Sequence, residues 1–162
     1  MRLFSRALTT GAIAATMALT GTVSAAAAEI PPTGVEDFDY PQADKIYQER
    51  GIKLLRGDGH ITLVECDSRP DLITIHAWGL KEKKGGGKFC FRLTGKEGRL
   101  TLDLPRTYGA NAKGSSFSVR LNMITGSEEK HWDLSKENWT PVGDTADDQQ
   151  RDFTLLEIVA KK

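Results

Sequence analysis

From Ile52 onward, apolar residues recur at every second position in short runs separated by glycine-rich or polar stretches. A period of two is what a strand with one buried face requires, because successive side chains leave opposite sides of the backbone. In "LITIHAW" the apolar set is Ile73, Ile75 and Ala77; in "KFCFRL" it is Phe89, Phe91 and Leu93; in "RLTLDL" it is Leu100, Leu102 and Leu104. "SFSVRLNM" contributes Phe117, Val119, Leu121 and Met123, and "DFTLLEIVA" gives a last strand. Together with residues 52–55 and 60–64, the pattern predicts about seven strands in an all-β, antiparallel sandwich of jelly-roll-like or Ig-like kind. Bringing like faces together places Ile75 opposite Phe91 and Phe91 opposite Leu102, a meander that turns at "GLKEKKGGG" and "TGKEG". "LLRGDGHITLVEC" is expected to be a hairpin with Ile52 and Leu54 opposite Leu63 and Ile61. Its tip is Gly57-Asp58 or Asp58-Gly59, which makes Arg56-Gly57-Asp58 a turn rather than an adhesion signal.

The pattern differs before Ile52. "YPQADKIYQERG" predicts one short helix, with Pro41 in a first turn, Ala43, Ile46 and Tyr47 on one face, and Gly51 as the stop. "EIPPTGVEDFD" has two prolines and little periodicity, so residues 29–40 are expected to be a flexible leader and residues 41–162 the sandwich domain. Residues 1–28 have the layout of a signal peptide: Arg2 and Arg6, an uncharged run of small and apolar residues from Ala12 to Val23, and small-residue cleavage positions among Ala25 to Ala28. The run is shorter than the ~20 strongly apolar residues that span a bilayer, and no cysteine follows it. The expectation is a secreted, extracellular protein with no membrane anchor after signal removal.

Charge and cysteine content narrow the function classes. The 22 Lys and Arg residues balance 22 Asp and Glu, and no half of the chain carries a strong excess of one sign, so a nucleic-acid partner is not expected. Two cysteines in a chain bound for an oxidising compartment predict a Cys66–Cys90 disulfide. The three histidines, His60, His76 and His131, have no metal-ligand spacing, and no Gly-x-Ser-x-Gly elbow is present. No catalytic residue, metal or cofactor is expected. Asp58, His60 and His76 could converge only if their strands are neighbours, which would make a small hydrolase or metal-dependent enzyme the alternative.

Two features suit binding. Lys81, Lys83, Lys84 and Lys88 surround three glycines in "KEKKGGGK", where backbone amides and ammonium groups could meet an anion, although the phosphate-loop order is missing. The rings of Trp78, Tyr108, Trp132 and Trp139 are expected to pack against a second layer, with stacking on sugars as the alternative. Period two puts Trp78 beside His76 on the face away from the core. The candidate ligand-binding residues are therefore Asp58, His60, His76, Trp78, Lys83 and Lys84.

The segments "ADKIYQERGIKLLRGDGHITLVEC", "CFRLTGKEGRLTLDLP" and "ENWTPVGDTADDQQRDFTLLEI" resemble those of small uncharacterised secreted proteins of actinobacteria. That resemblance spans most of residues 29–162 and implies export; the group has no assigned activity, so no functional residue is transferred. More loosely, the strand, glycine turn, strand pattern is similar to β-sandwich modules appended to bacterial secreted peptidases, a likeness of fold alone. The function expected is a non-catalytic binding or interaction protein whose partner is an extracellular protein or a cell-wall polymer. A secreted protease inhibitor presenting "RTYGANAKGSS" as a rigid loop is a third possibility.

Overall fold

Alternating apolar residues from Lys53 to Lys161 form strands whose buried sets face one another across a single core. The computed structural model describes residues 37–162; the expected signal peptide and most of the expected leader lie outside them. In chain order the elements are β1 (Phe38–Asp39), α1 (Ala43–Arg50), β2 (Lys53–Gly57), β3 (Ile61–Val64), β4 (Leu72–Ala77), β5 (Lys88–Leu93), β6 (Glu97–Leu104), β7 (Thr107–Asn111), β8 (Ser118–Thr125), β9 (Glu128–Asp133), β10 (Thr140–Pro141) and β11 (Thr154–Lys161), with a 3-10 turn at Gly143–Ala146. They make two antiparallel sheets packed as a sandwich. One sheet has the order β1-β2-β6-β11-β8-β9, the other β10-β7-β4-β5-β3. Leu54, Leu100, Leu102, Leu104, Leu121 and Ile158 from the first sheet meet Ile73, Ile75, Phe89 and Phe91 from the second, all essentially inaccessible to water. Burying a side chain of this size contributes about 2 kcal/mol.

The seven strands predicted from alternation are present, as β2, β3, β4, β5, β6, β8 and β11. Four more were not predicted. β1 and β10 have two residues each, β7 is "TYGAN" with small residues in place of an apolar set, and β9 is "EEKHWD", whose charges suit an exposed edge. β1 also starts the sheet inside the expected leader: Phe38 and Asp39 pair with Gly57 and Arg56, and the Tyr40 hydroxyl accepts the Leu63 amide at 2.8 Å.

The expected pairings need correction. β4 and β5 are antiparallel neighbours, but Ile75 lies opposite Phe89 and Ile73 opposite Phe91. This two-residue shift keeps every side chain on its predicted face. β5 and β6 do not pair at all: Phe91 faces Leu63 and Ile73, whereas Leu102 lies in the other sheet opposite Leu54. "LLRGDGHITLVEC" is not a hairpin either. Its first half is β2 in one sheet and its second half β3 in the other, so Asp58 to His60 carry the chain across the edge of the sandwich.

α1 ends at Gly51, whose φ of 76° is the left-handed conformation a helix stop requires; its amide donates to the Tyr47 carbonyl at 2.8 Å. At the opposite sheet edge, Asp147 pins the segment before β11. Its buried carboxylate accepts Arg151 Nη2 at 2.7 Å, Arg151 Nε at 2.8 Å and Lys130 Nζ at 2.9 Å. Arg151 first, then Lys130, holds this carboxyl far below its ordinary range. A group with a depressed folded-state value contributes stability that is complete above its unfolded value and is lost as the pH falls. Asp147→Asn is therefore expected to lower the melting temperature at neutral pH and to flatten its fall between about pH 5 and pH 2. Parallel melting curves for the two proteins across that range would contradict this role.

Candidate functional site

The outer side of β4 and β7 carries a cluster of rings. His76 lies opposite Gly109 of β7 and Lys88 of β5, and the register shifts between His76 and Ala77, so that Ala77 lies opposite Thr107. Trp78, just beyond β4, stacks on Tyr108 with ring centres 3.8 Å apart and planes 14° apart. The Trp78 indole N–H donates to Asp144 Oδ2 at 3.1 Å, tying the stack to the 3-10 turn. Trp139, immediately before β10, lies over Gly109: its six-membered ring occupies the space that a β-carbon at residue 109 would take. The His76 ring meets Trp139 edge-on at 4.8 Å, and Tyr108 lies 6.1 Å from it. Despite these contacts, Trp139 is 45% and Trp78 41% exposed. Large rings left this accessible in one patch mark a contact surface more often than a chance exposure.

The electrostatics are quiet around the rings and positive at one side. Burial, and secondarily Lys88, pushes the His76 imidazole below its ordinary value, so the ring is neutral at neutral pH. Lysine ion pairs among the described residues involve Lys53, Lys84 and Lys130, which leaves the exposed Lys88 ammonium without a carboxylate partner.

The chain matches no protein-family model and no curated protein.

The other residues singled out in the sequence serve the fold. Asp58 Oδ1 accepts the His60 amide and Oδ2 the Arg99 amide, each at 2.9 Å, so one oxygen braces the β2–β3 crossover and the other fastens it to β6. His60 Nδ1 lies 3.7 Å from Asp58 Oδ2, and the His60 ring fills the space beside Gly95. His60 adjoins the Leu93 end of β5 and His76 faces the Lys88 end. These ends are about 17 Å apart along a strand, so Asp58, His60 and His76 do not converge. Among the described residues no group of three or more His, Cys, Asp or Glu is placed to hold a metal ion. Arg56, in the tripeptide, pairs with Asp37 at 3.1 Å.

The glycine-lysine loop does not form an anion cradle. Lys83 Nζ donates to the Gln48 carbonyl and Lys84 Nζ to Glu65, both at 2.9 Å, while Arg50 Nη2 reaches the Lys88 carbonyl at 2.8 Å. Gly85, Gly86 and Gly87 all have positive φ, a run open only to glycine, and it folds the loop back onto the end of α1. The Cys66–Cys90 disulfide is present. As expected from period two, Cys90 leaves β5 on the side away from Phe89 and Phe91, but it faces Thr74 rather than His76, with Thr74 Oγ1 3.6 Å from its sulfur. "RTYGANAKGSS" is not one continuous loop: Thr107–Asn111 is β7, held between β10 and β4, and residues 112–116 form a short connection to β8.

Of the rings considered in the sequence, Trp132 packs edge-on against buried Phe153 at 5.2 Å, in the way expected of a large ring. Trp78 and Trp139 do not. Tyr108 and Trp139, for which stacking on sugars was only the alternative to core packing, were left out of the candidate set because β7 and β10 have no apolar alternation to place them beside His76 and Trp78.

Proposed function

We propose that the protein is a secreted, extracellular, non-catalytic binding protein whose contact surface is the ring cluster of His76, Trp78, Tyr108 and Trp139. The observation that carries this reading is Trp139, seated on Gly109 and still 45% exposed beside the Trp78–Tyr108 stack. Contacts to the sheet, to Asp144 and between rings fix the cluster before any ligand arrives, so little rotamer freedom is lost on binding. Export is supported by the layout of residues 1–28 and by a disulfide, which persists in oxidising compartments. The partner proposed is a polymer of the cell wall.

Sedimentation with insoluble bacterial cell-wall material tests the reading. The wild-type protein is expected in the pellet, and Trp78→Ala/Trp139→Ala in the supernatant with its fold intact by circular dichroism. Equal retention of the two proteins would overturn it. The alternatives have less support: Asp58 and His60 stand apart from His76, and Thr107–Asn111 of the loop considered for an inhibitor is strand β7.

A further inference from the structure

The ring surface has a direction. Gly109 of β7, His76 of β4 and Lys88 of β5 form one row across three adjacent strands, and Trp139 is seated on the first of them. From Gly109 to Lys88 the row covers two strand spacings, about 10 Å. It passes from a flat apolar plate, through a neutral imidazole, to an ammonium group that has no carboxylate partner among the described residues. The one carboxylate bonded to the rings, Asp144, binds Trp78 and so stands away from Lys88 in this row.

We infer that this row binds an acidic polysaccharide, with a pyranose ring stacked on Trp139 and a uronate-type carboxylate at Lys88. The inference rests on the binding reading above and names its ligand class. A pyranose presents C–H bonds with a positive edge to the negative face of an indole, the geometry aromatic faces favour. A carboxylate meets an exposed ammonium through a charge-assisted hydrogen bond and moderate, salt-sensitive attraction. Charge complementarity thus selects an acidic chain over a neutral one. A peptide fits less well, because β7, β4 and β5 each have both edges paired and offer no free edge for strand addition. The exposed aliphatic residues Leu55 and Leu156 belong to the other sheet and add no apolar area to this patch.

Affinity electrophoresis in gels containing polygalacturonate, with a neutral glucan in parallel, tests this. Trp139→Ala is expected to weaken polygalacturonate binding about tenfold. Lys88→Gln is expected to weaken it about threefold at low salt, with the difference fading as salt screens the pair. Lys45→Gln, on exposed α1, serves as the surface-charge control and is expected to change nothing. Unretarded migration in polygalacturonate overturns the inference, as does wild-type binding by Lys88→Gln or equal affinity for the neutral glucan. If wall material is held through Trp139 while polygalacturonate is not, the binding reading stands and the acidic ligand falls. If protease treatment of the wall abolishes retention, the partner is a protein and the inference falls likewise.

Discussion

Gly109→Ala is expected to abolish retention on wall material and to shift tryptophan emission to longer wavelength, in a domain that still folds. The six-membered ring of Trp139 already fills the space of a β-carbon at residue 109, so the two cannot coexist. The backbone cannot yield, because Gly109 pairs with His76 on one side and Pro141 on the other. The ring yields instead: it is half in solvent and precedes a two-residue strand. Lifting it breaks the edge-on contact with His76 and exposes more indole to water. Crowding of this kind costs about 1–3 kcal/mol, within the margin of a domain this size. Unchanged emission and retention in Gly109→Ala would show that the glycine does not seat the ring.

Removing the disulfide with Cys66→Ser/Cys90→Ser is expected to produce the largest loss of stability. The bridge closes a loop of 24 residues in sequence separation, and restricting the unfolded chain in this way contributes about 3 kcal/mol. The expected fall in melting temperature is on the order of 10 °C. The geometry adds to the effect, because Cys90 is almost inaccessible and each serine would bring a hydroxyl to that site. Differential scanning calorimetry of the oxidised wild type against the double variant measures it; a fall of only one or two degrees would show that the bridge is peripheral.

The elements were legible in the sequence to the extent that alternation marked them. Period two located Ile73, Ile75 and Ala77 on one side of β4 and His76 on the other, and the helix stop at Gly51 was readable because a left-handed cap favours glycine. Pairing was not legible. Both sheets turn apolar faces to the same core, so the Leu100, Leu102 and Leu104 set satisfies alternation equally well beside Phe91 or facing it across the core. The short "TGKEG" and "GDG" links looked like hairpin turns for that reason; both instead carry the chain from one sheet to the other. The ring cluster was half legible for the same cause. His76 and Trp78 follow from the period of β4, but Tyr108 and Trp139 join them only through the β4–β7 and β7–β10 pairings, which no local pattern announces.

The position of β11 has a consequence for how the chain comes together in time. It is the last strand in sequence, yet it lies between β6 and β8 and holds both to one sheet. Until β11 has been made, the two halves of that sheet have nothing to join them, and Leu100, Leu121 and their neighbours lack a complete partner surface. That sheet therefore cannot close before β11 has been made, as expected where distant pairings must form before the core can close. For the exported protein proposed above, this placement would delay closure of the sheet until its final strand is available to join the two halves.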